Sequence, residues 1–250
     1  MAVAWAALAA PCAADTSSVR GVLEDTGLYF TAPLRWDAQN WLQFGASVAA
    51  IGIAHESDDE VRAHFEPSRT AGLTRQDPHG TRDFIPTAAI VFGTWALATA
   101  MDDPAGYEEG RVMLEAGALT AVSAVLIKSA AGRLRPNETG SVDEWSQGGD
   151  SFPSFHASAA FAVGTVFAES GGEDYRWLRR ALGYGLATAT AYSRVHDNVH
   201  WLSDTVAGAA LGIATAQFAM GRRGVGARRS SVAVTVMPGG ALLTYSYRFE

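Results

Sequence analysis

The chain has 250 residues, 48% of them apolar, and its 26 acidic against 19 basic residues leave a formal charge of −7. That length suits one large domain with its own core or two small ones, and the acidic balance argues against nucleic acid, whose phosphate backbone needs a basic face. The single cysteine, Cys12, excludes an internal disulfide and a cysteine-built zinc site.

Residues 1–14 are small and apolar up to Asp15, in the manner of a secretory leader, although the basic start of such leaders is missing. The expected division is a signal peptide over 1–14, a helical domain over 15–229 and a β-hairpin over 230–250. Residues 16–40 read as an irregular or partly helical lead-in. Six small-residue-rich apolar segments then predict helices over 41–55, 84–101, 111–131, 154–169, 175–194 and 199–221. Short connections make such helices antiparallel neighbours, so the predicted fold is an all-α, six-helix bundle. The polar stretch 56–83 is the longest connection, and its Pro67, Pro78 and Gly80 argue against one continuous helix there. A second loop, 136–152, carries Gly140, Gly148 and Gly149 and is placed to border a site as a lid. In the tail, 231–236 and 241–249 alternate apolar and polar residues around Met237-Pro238-Gly239-Gly240, a hairpin pattern with a packing role.

A membrane span needs ~20 apolar residues. Only 84–101 and 205–221 approach that length free of charge, and both are rich in weakly inserting Ala, Gly and Thr. Arg176, Arg179, Arg180, Arg222, Arg223, Arg228 and Arg229 gather at one end of an up-down bundle. With six spans the positive-inside rule would place the N-terminus in the cytoplasm, which conflicts with a cleaved leader. An exported, periplasmic domain, soluble or resting on a membrane, removes the conflict; an integral inner-membrane protein is the alternative.

Three clusters carry chemistry. In KSAAGRLRP, Lys128 and Arg135 lie two helical turns apart before Pro136 stops the helix; alone, they read equally as basic residues capping a helix C-terminus. In SFPSFHAS, Pro153 and Ser154 mark a helix start, whose backbone N–H groups suit an anion, with His156 in the first turn; alone, this is also an ordinary cap. In SRVHDNVHWLSD, His200 and Asp204 share a helix face, so the carboxylate can fix one ring nitrogen and leave the other to attack. His196 and Asp197 lie beside them, but no convincing third ligand makes a metal site. An antiparallel bundle brings all three clusters to one end. Three cations, a helix N-terminus, two histidines and a carboxylate on one pocket call for a multiply charged anion, best a phosphate.

The joint pattern is Lys, six residues, Arg-Pro; Pro-Ser-x-His; Ser-Arg, five residues, His, three residues, Asp. It resembles the tripartite signature of the type 2 phosphatidic acid phosphatase and vanadium haloperoxidase superfamily. The motifs cover 128–204, and the helix layout extends the likeness over most of the chain. The resemblance implies that His200 attacks phosphorus to form a phosphohistidine, Asp204 orients it, and His156 protonates the leaving oxygen and later activates water. It implies that Lys128, Arg135, Ser154, Arg194 and the backbone N–H at Phe155 hold the phosphate. The implied reaction is hydrolysis of phosphate monoesters or pyrophosphates, lipid-linked ones included, without metal or cofactor. Vanadate would enter only in a haloperoxidase, with the same ligands. Phe155 departs from the family, which usually has Gly there. It could narrow the pocket, wall it for a lipid, or leave a phosphate-binding protein without turnover. Trp201, expected at the surface, would suit an amphiphilic substrate.

Overall fold

The computed structural model describes residues 16–70, 85–172, 175–224, 230–237 and 240–247. The expected signal peptide, Pro78, Gly80, Arg228 and Arg229 lie outside them. Two units are distinguished, Met1–Trp36 and Asp37–Glu250. In the first, helix α1 (Thr16–Phe30) is followed by a 3-10 turn over Ala32–Arg35. There Arg35 reaches back to the Leu28 carbonyl (2.7 Å).

The second unit contains α2 (Ala38–Glu56), α3 (Asp58–Thr70), α4 (Ile85–Met101), α5 (Pro104–Ala131), α6 (Phe155–Ser170), α7 (Arg176–His196) and α8 (Leu202–Arg223). Strands β1 (Ser230–Met237) and β2 (Gly240–Tyr247) pair antiparallel, from Ser230 opposite Tyr247 to Met237 opposite Gly240. Among the described residues there are thus eight α-helices rather than six. The two additions are α1, from the lead-in, and α3, from the stretch read as a connection. Helix α3 includes Pro67 in its last turn. Pro67 lacks the N–H that would bond the carbonyl four residues back, so α3 loses one bond near its end, while Asp58, Asp59 and Glu60 favour the positive end of the helix dipole in the first turn.

Polar side chains start these helices where the sequence changes character. Asp37 accepts from Asn40 N–H (2.8 Å) ahead of α2. Asp103 accepts from Ala105 N–H (3.0 Å) ahead of α5, with Pro104 at the first helical position. Helix α5 ends on Gly132 at φ 54°, a left-handed conformation that glycine adopts without a Cβ penalty.

The core joins α4, α5, α6 and α8 through Val91, Val112, Met113, Ala116, Val163, Val166, Ala216 and Met220. Its small residues let helices approach closely. A Cβ on Gly183 would lie 2.5 Å from the Gly164 carbonyl oxygen, and one on Gly212 would lie 2.3 Å from that of Ser158. The glycines therefore set α7 and α8 tightly against α6, the helix that opens on Ser154.

At the bundle end that holds the start of α7, the arginines are matched by acids: Arg179 with Glu109, Arg180 with Glu169 and Arg223 with Glu115. Three of the arginines read from the sequence as a basic end are thus balanced by glutamates. Many large apolar side chains remain exposed. Trp41, Phe44 and Ile53 on α2, Phe92 and Leu97 on α4, Leu114, Val125 and Leu126 on α5, and Trp177 and Leu182 on α7 are exposed, Ile53 by 71%. Among the described residues α5, at 28 residues, is the helix long and apolar enough to cross a membrane. The sequence pointed instead to 84–101 and 205–221, but α4 stops at 17 residues.

Candidate active site

The site forms where the ends of α5 and α7 meet the starts of α6 and α8. After Gly132 turns the chain, Arg133, Leu134 and Arg135 run outward and residues 136–152 fold back beside them. Ser146 N–H donates to the Ala131 carbonyl (2.9 Å) and Ser151 N–H to that of Arg133 (2.9 Å). Lys128, in the last turn of α5, donates to the carbonyl oxygens of Asp150 and Ser151. Arg135 grips the Asp150 carboxylate with two nitrogens (2.7 and 3.0 Å) and reaches the Val199 carbonyl (3.5 Å). That pair holds the Asp150 carboxyl below the usual carboxylate range, since the Arg135 contact outweighs the cost of burial.

Ser154 caps α6, its Oγ accepting from Ala157 N–H at 3.5 Å. Its own N–H donates to the Asp204 carbonyl (2.9 Å), which ties the start of α6 to the start of α8. Phe155 and His156 follow in the first turn, both half-buried, with ring centroids 6.5 Å apart. Arg194 is buried in the last turn of α7, and its carbonyl accepts from Val199 N–H and His200 N–H (3.2 Å each). Asn198 makes the reversal at φ 59°, which asparagine tolerates better than most residues.

His200 is buried, and its Nδ1 stands 3.5 Å from Asp204 Oδ2. That is within ion-pair range and longer than an ordinary N–H···O bond. Burial lowers the His200 pKa to about 4, against the opposing pull of Asp204. The ring is therefore neutral at pH 7, with a lone pair available on one nitrogen. Asp204 is fully engaged. Its Oδ2 accepts from the Ser151 hydroxyl (2.5 Å) and from Trp201 N–H (2.9 Å), and its Oδ1 from Arg133 (2.8 Å). The Trp201 bond also caps α8.

The three motif clusters thus converge as the antiparallel layout requires. Sequence reasoning missed Arg133, Asp58, Ser151, Ser203 and the anionic partner Asp150. Arg133 joins Asp204 and Ser203 through one nitrogen and Asp58 through the other, each at 2.8 Å. An arginine two positions before Arg135 was visible, but nothing marked it as buried. Asp58 sat within the acidic run DDE, which reads as a solvated helix start. Trp201 is 2% exposed rather than superficial, because its ring lies over Arg133 and its Nε1 donates to the Leu134 carbonyl (2.9 Å).

With this geometry in view, residues 110–224 match the family model of the PAP2 superfamily. This segment is a PAP2-superfamily domain. All eight residues assigned from the sequence resemblance fall within it, whereas Asp58 lies outside. A lipid A 1-phosphatase of Porphyromonas gingivalis is 42% identical over 82 residues, which cover 33% of this chain and 16% of that protein. The chain thus matches about a sixth of the length of that curated relative. A transmembrane PAP2-type phosphatidylglycerolphosphate phosphatase from Bacillus subtilis aligns structurally with a TM-score of 0.40 and 18% identity, over 84% of this chain and 95% of that one.

Proposed function

We propose that the protein is a metal-independent phosphatase that hydrolyses phosphate monoesters or pyrophosphates on lipids, through a phosphohistidine at His200. The observation that carries this reading is the buried His200–Asp204 pair set among Lys128, Arg135, Arg194 and the N-terminus of α6. The PAP2 domain and the lipid A 1-phosphatase relative support the substrate class.

In this reading, Asp204 faces the His200 Nδ1–H across 3.5 Å, closes on it as the ring becomes charged, and leaves Nε2 to attack phosphorus. An N–P bond forms as the O–P bond to the leaving group breaks. His156 gives that oxygen its proton. His156 then takes a proton from water, which attacks phosphorus, breaks the N–P bond and releases inorganic phosphate. Lys128, Arg135, Arg194 and the N–H groups after Pro153 neutralise the equatorial oxygens, which supplies by side chain and backbone the charge compensation a metal gives elsewhere. Asp150, seated in the Arg135 fork, gives way to the incoming phosphate. Phe155 lines the approach for an apolar leaving group.

The exposed apolar side chains of α2, α4, α5 and α7 support a seat in a membrane, where lipid covers them. A water-soluble protein rarely leaves so many large apolar residues uncovered.

The test is hydrolysis of p-nitrophenyl phosphate and of a lipid phosphate in mixed micelles, with EDTA present, by wild type and His200→Ala. Turnover in wild type and none in the variant is the expected result. Equal rates in both remove His200 from the mechanism.

A further inference from the structure

We infer that Arg133, braced by Asp58, is a positioning residue for the His200–Asp204 pair, and that α3 thereby completes a site whose motif residues all lie on later elements. The inference rests on the phosphatase reading of His200. Arg133 and Asp58 are each 1% exposed, and Asp204 is fully buried. One guanidinium nitrogen of Arg133 donates to Asp204 Oδ1 and Ser203 Oγ (2.8 Å each). The other lies 2.8 Å from Asp58 Oδ2, 3.1 Å from His55 Nδ1 and 2.9 Å from the Val142 carbonyl oxygen. The guanidinium plane is sandwiched, with its carbon 4.5 Å from the Trp145 ring centre and 5.2 Å from that of Trp201.

Asp58 does more than balance the charge. Its carboxylate also accepts from Ser203 N–H (2.8 Å) and from the Ser203 hydroxyl (2.6 Å). Ser203 immediately precedes Asp204. Helix α3 therefore grips the first turn of α8 twice, directly at Ser203 and through Arg133 at Asp204. This grip fixes the rotation of the Asp204 carboxylate. Oδ1 is held by Arg133, while Oδ2 is held by Ser151 and Trp201 and faces His200. Without Arg133, Oδ1 loses its partner in a dry site, and the carboxylate turns to regain one, which moves Oδ2 away from the imidazole. Charge points the same way. One cation between two carboxylates leaves a net negative charge beside His200, available to stabilise the ring as it becomes positive. Lys128 and Arg135 oppose that effect by repelling a charged ring, a repulsion that a bound phosphate cancels.

Glu109–Arg179 provides the control, a partly buried ion pair between α5 and α7. Glu109 lies 19 residues before Lys128 on α5, about 28 Å along the helix. The experiment compares the full chain as wild type, Arg133→Lys, Asp58→Asn and Arg179→Gln. A lysine keeps the charge of Arg133 but cannot fork between two carboxylates. Expected for Arg133→Lys is a kcat loss on the order of 100-fold, the scale of a misplaced catalytic group, with KM within about twofold. Asp58→Asn, which keeps the side-chain shape, loses about tenfold. Arg179→Gln keeps wild-type kcat. In parallel, nitrogen NMR of histidine-labelled protein reads the ring directly, without turnover. Wild-type His200 is held as the Nδ1–H tautomer and becomes a mixture in Arg133→Lys. Full kcat in a folded Arg133→Lys, or an unchanged ring signal, overturns the inference. If Arg133→Lys does not fold, Asp58→Asn decides by the same two readouts. If His200→Ala turns over like wild type, the phosphatase reading fails, and the ring signal alone decides whether Arg133 positions His200.

Discussion

The bundle of α5 to α8 pairs charges at both ends, but the two ends are built differently. At the far end Arg179, Arg180 and Arg223 each meet one glutamate on a neighbouring helix, and Arg180 and Arg223 keep part of their side chains in solvent. At the site end one arginine lies between two carboxylates in a dry slot, and every oxygen of Asp204 has a donor. Buried ion pairs recover little net stability after desolvation, yet removing one partner is costly. The far-end pairs therefore read as ties between helices. The site-end network reads as a device that fixes one arrangement of Asp204 and His200.

The largest expected difference is in activity. His200→Ala lowers kcat on the order of 10,000-fold, measured by initial rates, while Glu115→Gln at the far end leaves kcat unchanged. The next is pH dependence, which belongs to the site end alone. His200 is buried neutral, with its pKa lowered by burial from 6.5 to about 4. The unfolded state therefore binds the extra proton first. Stability falls as pH drops from about 6.5 to about 4, by about 3 kcal/mol in all, and levels off below that range. Denaturation midpoints across this range show the slope, and His200→Gln removes this component of it. The same neutrality keeps the acid limb that His200 gives to kcat/KM near pH 4. A smaller effect concerns Asp150, which competes with phosphate for Arg135. Asp150→Asn lowers KM for p-nitrophenyl phosphate about threefold, the scale of a partly exposed ion pair. Smallest is Arg180→Ala at the half-exposed far-end pair, which costs less than about 1 kcal/mol of stability and nothing in kcat.

Much of the site was legible because its residues stand at helix ends. Lys128, Ser154, Arg194 and Asp204 each follow from a stop or start signal, and antiparallel packing of short-looped helices brings such ends together. The departures have a common cause. Residues 56–83 looked like a connection because charge and proline dominate them, yet the acidic first turn suits a helix start and α3 runs past Pro67 at the loss of one bond. Arg133 looked like one basic residue among three. Periodicity cannot tell a solvated arginine from one sandwiched between Trp145 and Trp201.

The helical class, the positions of the six apolar helices, the family signature and the gathering of its residues at one bundle end can all be read along the chain. These depend on periodicity, caps and spacing, which are local properties of the chain. Long-range packing is what brings Asp58 of α3 to Arg133 and Ser203, seats Asp150 in the Arg135 fork, and leaves particular apolar side chains uncovered. Those facts depend on which distant segments come together out of water, and burial there turns an ordinary aspartate and arginine into an ion pair whose position matters.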